Sequence, residues 1–145
     1  MVDIEIRFAS SADFSACKEF ENITDEDLLR FKISRSDICL AEKTGTPVGY
    51  LRLDSLWSHI SMIGLVIVKE TCRKHGLGTA LVDFICRDLT EKGERQIISS
   101  TMPDNLPSQQ WHAAMGFEEC GFLCGINTKE GVGEIFYKKP LNSEL

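Results

Sequence analysis

Val66-Ile67-Val68-Lys69-Glu70-Thr71-Cys72-Arg73-Lys74-His75-Gly76-Leu77-Gly78-Thr79-Ala80 is the stretch on which the fold turns. An apolar run that opens at Ser61 ends in three β-branched residues, a polar turn follows, and two glycines lead into an amphipathic segment. The run 61–68, with Met62, Ile63, Leu65, Val66, Ile67 and Val68, has the length and branching of a central strand buried on both faces. Beyond the turn, Leu77, Ala80, Leu81, Phe84, Ile85 and Leu89 keep helical spacing. Asp83 and Arg87 are placed for an i,i+4 ion pair on another face, and Lys92-Gly93 supplies the stop.

A strand that enters a helix through glycines has a chemical meaning. The first N–H groups of a helix lack intrahelical acceptors and sit at the positive end of its dipole. Gly76 and Gly78 let the backbone approach an anion without an intervening Cβ, and Arg73 and Lys74 stand nearby. A pyrophosphate suits such a cradle. The same glycines are also compatible with a tight turn that serves only close packing. The dinucleotide fingerprint is absent, because Leu81 occupies the place of its third Gly or Ala. No Gly-Lys-Ser/Thr marks a nucleotide P-loop.

Working outward, Ile4–Phe8 alternates as a strand, and Ser10 or Ser11 offers the N-cap of a short helix reaching Phe20. Thr24-Asp25-Glu26-Asp27 reads as a second helix start, followed by Leu28, Phe31 and Lys32. Ile38–Lys43 and Val48–Leu53 form a hairpin around Thr44-Gly45-Thr46-Pro47. On the other side, Gln96–Thr101 reads as a strand parallel to 61–68 through a right-handed crossover. The loop from Met102 to Pro107 precedes a helix at about 108–115, and 117–126 with 132–138 closes the chain as a hairpin. The predicted order is β-α-α-β-β-β-α-β-α-β-β, an α/β (α+β) arrangement in a single domain over residues 1–145.

The 145 residues, 43% hydrophobic and 26% charged, suit one domain with a substantial core. No apolar run is long enough to span a bilayer as a helix, and the alternating Met1-Val2-Asp3-Ile4-Glu5 reads as strand, so a cytoplasmic protein with no membrane partner is expected. Net charge is −6, which disfavours nucleic acid. The basic spot in this acidic chain is Lys69, Arg73, Lys74 and His75. Six cysteines, at 17, 39, 72, 86, 120 and 124, form no C-x-x-C pair, and they are expected to be buried, reduced thiols with no metal role.

With these residues in view, the chain resembles the GNAT N-acetyltransferase superfamily. Arg73-Lys74-His75-Gly76-Leu77-Gly78 is similar to its R/Q-x-x-G-x-G/A signature, and Val66-Ile67-Val68 to the strand leading into it. Asn105-x-x-Ser108 followed by Trp111-His112-x-x-x-Gly116-Phe117 is similar to the N-x-x-A-x-x-L-Y-x-x-x-G-F segment further on. The resemblance implies a mixed central sheet of about seven strands, splayed between strands four and five and flanked by about four helices. It implies acetyl-CoA as co-substrate, with no metal. The cofactor-binding residues would be Val66, Ile67, Val68, Arg73, Lys74, His75, Gly76, Leu77, Gly78 and Thr79, together with Asn105 and Ser108. A main-chain N–H at Val66 or Val68 would polarise the thioester carbonyl.

The resemblance also implies direct attack by a primary amine of a small molecule or peptide. One departure stands out: the tyrosine that protonates the leaving thiolate in the family falls at His112. An imidazole can donate a proton, so His112 is the candidate catalytic acid, with a bystander role as the alternative. Asn105 is either a contact to the coenzyme arm or turn chemistry. No general base is legible; Ser61, Met62 and Gly64 stand where relatives place a Glu, and Asp54, His59 and Glu134 are the carboxylate and imidazole groups near enough in the order to consider. The helices at 11–33 and the segment Leu53–Trp57 would form the acceptor wall, with Trp57 and Trp111 lining a pocket or packing in the core. The competing class is a non-catalytic acyl-CoA-binding sensor. A homodimer is left open.

Overall fold

Leu77, Leu81, Ile85 and Leu89 of the predicted stripe are buried along one helix, Leu77–Glu91, where Val82 is buried as well and Ala80 and Phe84 are half-buried. Each such side chain removed from water contributes about 1.5–3 kcal/mol. The computed structural model describes residues 3–23 and 25–141; Met1, Val2 and Thr24, which the readings of the first strand and second helix included, lie outside them. In chain order the elements are β1 (Ile4–Phe8), α1 (Phe14–Phe20), α2 (Glu26–Ser34), β2 (Ile38–Lys43), β3 (Thr46–Leu56) and β4 (Ile60–Val68). Then follow α3 (Leu77–Glu91), β5 (Gln96–Thr101), α4 (Leu106–Ala114), β6 (Glu118–Leu123) and β7 (Glu134–Pro140). Short 3-10 turns occupy Ser11–Asp13 and Glu70–Cys72. The strands form a seven-stranded mixed sheet in the order β1-β2-β3-β4-β5-β7-β6.

The chain divides into two compact units, Met1–Asp54 with Leu65–Arg87, and Ser55–Gly64 with Asp88–Leu145. In the first, β1, β2 and β3 pair antiparallel, with a bulge at Ala41/Glu42. Leu40, Tyr50, Leu65 and Ile67 meet Cys17, Leu29 and Ile33 from α1 and α2 to form its core. Gly49 permits close packing of α3: an added Cβ would lie 3.1 Å from Leu81 Cδ1 and 3.2 Å from the Ala41 Cβ. The N-cap of α2 is Asp25, whose carboxylate accepts from Leu28 N–H at 3.0 Å. In the second unit β5 and β6 each pair antiparallel with β7, and β4 bridges β5 in parallel at Met62↔Ile98.

Some local expectations need correction. β4 is not buried on both faces: Ile63 is buried, but Ile67 and Val68 are only half-buried because a cavity opens against them. The i,i+4 ion pair of α3 is Asp88–Lys92, at 2.8 Å, and not Asp83–Arg87. α4 begins at Leu106, since Pro107 in its first turn needs no hydrogen-bond acceptor. Cys17, Cys39 and Cys72 are buried as expected, whereas Cys120 and Cys124 are exposed at and beyond the edge strand β6. Trp57 is 73% exposed, because it and Ser58 form a hairpin tip with φ of 53° and 64° that points away from any core.

Candidate active site

The turn after β4 is held by its own backbone. Lys69 N–H donates to Val48 O at 2.8 Å, and Cys72 N–H donates to Lys69 O at 2.8 Å, with the Cys72 side chain buried beneath. Arg73 Nε donates to Val68 O at 2.9 Å, so the guanidinium folds back over the end of the strand. Lys74 and Gly76 take the left-handed conformation, with φ of 66° and 79°. Glycine adopts it freely, and a Cβ added at Gly76 would meet nothing within 4 Å. The glycine is therefore required by backbone conformation, and the space beside it is open.

Ala80 N–H donates to Gly76 O at 2.9 Å. The N–H groups of Leu77 and Gly78 precede that bond and have no acceptor within the helix. Arg73, Lys74 and His75 are exposed around them. Main-chain donors, a helix dipole, cationic side chains and open space fit the pyrophosphate of an acyl-CoA. The structure thus gathers the predicted residues from Val66 to Thr79 at one place in the first unit. A cavity of about 380 Å³ adjoins them, lined by Ala16, Glu19 and Phe20 of α1, Thr46 and Pro47 of β3, and Ile67, Val68, Lys69 and Arg73. Of the expected wall, the helices at 11–33 contribute through α1, whereas β3 lines the cavity with Thr46 and Pro47 and not with the segment Leu53–Trp57, because Pro47 carries no pattern that separates it from a turn residue.

The other predicted residues lie in the second unit, on α4. Asn105 is the N-cap: its Oδ1 accepts from Ser108 N–H at 3.1 Å. His112 is 3% exposed. Its Nδ1 is 2.7 Å from Ser108 O, one helical turn back, and its Nε2 is 2.7 Å from Ser99 Oγ on β5. A carbonyl can only accept, so Nδ1 carries the proton and Nε2 accepts from the Ser99 hydroxyl. The ring stacks on Tyr137 and meets Trp111 and Phe117 edge-on. Burial lowers the His112 pKa below its ordinary value, outweighing the Ser108 carbonyl, which raises it. The site holds a neutral imidazole with both nitrogens occupied, whereas an acid for a leaving thiolate calls for a protonated, reachable ring. Ser99 and Tyr137 were missed; polar Ser99 after buried Ile97 and Ile98 was the available signal.

The groups considered as base are also engaged. Burial opposes ionisation of Asp54, but hydrogen bonds from Arg52 and Lys32 outweigh it and its pKa is lowered. His59 Nδ1 lies 2.7 Å from Trp57 O, and Glu134 accepts from Asn127. Among the described residues no group of three or more His, Cys, Asp or Glu side chains is placed to hold a metal ion. No helix among them is long and apolar enough to cross a membrane.

Residues 5–117 match the model of the Acetyltransferase (GNAT) family, and the chain belongs to that family. It is 39% identical over 54 residues to the aminoglycoside N(6')-acetyltransferase type 1 of Salmonella typhimurium, a match covering 37% of each chain. The chain thus spans little more than a third of the curated relatives it matches. Its fold is similar to that of a ribosomal-protein-alanine N-acetyltransferase from Brucella melitensis, with TM-score 0.82 and 24% identity over 94% of this chain and 99% of that one. It is equally similar to yncA from Salmonella typhimurium, solved with its cofactor acetyl-CoA, with TM-score 0.81 and 19% identity over 97% and 95% of the two chains.

Proposed function

We propose that this chain transfers the acetyl group of acetyl-CoA directly to a primary amine of a small molecule or peptide. The observation that carries the reading is the loop from Val68 to Gly78 in a chain of the GNAT family, with Gly76 at positive φ, open space beside it and Arg73 parked on Val68 O. Acetyl-CoA supplies the activated acyl group. The chain's own residues hold its phosphates at the start of α3, and the main chain of Val66–Val68 lies where a thioester arm would run. No side-chain nucleophile is required, since the amine attacks the acyl carbon itself. Acceptors of both kinds are named among the similar proteins, an aminoglycoside in one and a ribosomal-protein alanine in another.

His112 takes the part of a neutral buttress in this reading, and the departing thiolate is protonated from solvent. Six cysteines with no C-x-x-C pair, Cys17, Cys39 and Cys72 of them buried, fit a reducing compartment, and the cytoplasm is the place of action in this reading. The acidic net charge of −6 favours a cationic amine over nucleic acid. A homodimer belongs to the same proposal, and light scattering across a concentration series reads it. The direct test is incubation with acetyl-CoA and a panel of aminoglycosides, polyamines and alanine-initiated peptides, following free thiol. Acceptor-dependent thiol release supports the enzyme; tight acetyl-CoA binding with no release for any amine would leave a sensor.

A further inference from the structure

In the first unit, charges outside the loop converge on Arg52. Its Nε donates to both carboxylate oxygens of Glu21, at 2.8 and 3.0 Å, and another guanidinium nitrogen donates to Asp54. Tyr50 Oη donates to the same Glu21 carboxylate at 3.0 Å. Tyr50 is fully buried, and burial first, then the Glu21 charge, pushes its hydroxyl far up, so it stays a donor. The Arg52 and Glu21 side chains are only 18% and 16% exposed. A desolvated pair of this kind adds little stability beyond what packed apolar groups would give, so its use lies in fixing geometry.

What it fixes is the end of α1. Glu21 follows Phe20 directly, and the Phe20 ring stacks on Tyr50 with centroids 5.6 Å apart and planes 15° from parallel. Phe20 is also a wall of the 380 Å³ cavity, and the Lys69 ammonium lies 5.7 Å from its ring centroid. Lys69 lines the cavity beside Val68 and makes no salt bridge among the described residues. Lys69 and Arg73 there face one carboxylate, Glu19, so the lining carries an excess of positive charge.

We propose that Glu21 and Arg52 form a positioning clamp: by fixing Phe20 they hold the Lys69 ammonium at the cavity, where it binds a phosphate of the acyl donor. This rests on the acetyl-CoA reading above and adds two elements to it, a further phosphate contact at Lys69 and a remote pair that sets its place. A purely structural pair would move the melting temperature and leave coenzyme affinity alone.

Calorimetric titration of acetyl-CoA, without turnover, decides the matter. Lys69→Met and Glu21→Ala should each weaken binding about tenfold. The double variant should be no weaker than Lys69→Met alone, because Glu21 acts through Lys69. Glu21→Gln still accepts from Arg52 and Tyr50, and should stay within about threefold of wild type. Affinity should fall less steeply with added salt in Lys69→Met and Glu21→Ala than in wild type. If Glu21→Ala does not fold, Phe20→Leu, which leaves the ion pair intact, should show the same loss. Wild-type affinity in the folded Glu21→Ala or Phe20→Leu variant, or losses that multiply in the double variant, would overturn the clamp. A wild-type protein that does not bind acetyl-CoA would instead bring down the reading on which it rests.

Discussion

The imidazole of His112 lies flat against the phenol of Tyr137, with ring centroids 4.5 Å apart and planes 11° from parallel. Ser99, which pairs with Tyr137 across the β5–β7 ladder, donates its hydroxyl to the same imidazole. Three elements, α4, β5 and β7, therefore close on one neutral ring. A protonated ring would lose the Ser99 hydroxyl as a donor and place a charge in a largely desolvated setting.

The sign of the pH dependence follows. With its native pKa below the ordinary 6.5, His112 takes up a proton more readily in the unfolded chain as pH falls. Its contribution to stability should be complete above about pH 6.5 and decline as pH drops from there through the lowered native value. Urea midpoints at pH 7.5 and pH 5 should separate more for wild type than for the Ser99→Ala/His112→Phe double variant, which removes both partners together. Equal separation would mean that His112 does not titrate differently on folding.

The same double variant addresses catalysis. Loss of a general acid would lower kcat by about 10²- to 10⁴-fold. A buttress whose ring stack is retained by Phe should keep kcat within about threefold of wild type, so steady-state rates with a responsive amine discriminate the two roles. His112→Phe alone is the poorer probe, since it strands the Ser99 hydroxyl at about 1–3 kcal/mol.

Gly76→Val should weaken acetyl-CoA binding tenfold or more, about 1.4 kcal/mol. A φ of 79° is one that a β-branched residue does not adopt without strain, and no clash contributes because the space is open. Gly76→Asn, which tolerates the left-handed region, should retain most of the affinity. Equal titration curves for wild type and the Val variant would refute the cradle.

Asn105→Ala removes the acceptor for Ser108 N–H and should cost about 1 kcal/mol in urea unfolding. Asn105→Asp caps as well and should restore stability. If acetyl-CoA affinity then stays low in Asn105→Asp, the side-chain amide also serves the coenzyme; if affinity returns, Asn105 is a cap alone.

Features set by near neighbours in the chain were legible in the sequence. The α3 stripe, the bounds of β1, β2 and β5, and the glycine turn before α3 follow from spacing and backbone chemistry that act within a few residues. What escaped depends on partners far away in the chain. Half-burial of Ile67 and Val68 is decided by Ala16, Phe20 and Pro47, and the state of His112 by Ser99 and Tyr137. The Glu21–Arg52 pair joins residues 31 positions apart, and no local pattern distinguishes it from ordinary surface charge.

Arg73 arrives at any anion already ordered. One of its five N–H groups is committed to Val68 O, which leaves four donors on a side chain tethered to the end of the strand. Part of the entropic toll of immobilising a long flexible side chain on association is thereby met beforehand, within the free protein. Arg73→Lys, although it conserves charge, has a single nitrogen in place of the fork, so that holding the strand end and meeting an anion fall to the same atom. It would exchange a poised contact for a freely moving one, and calorimetry would register the change as a less favourable entropy of coenzyme association.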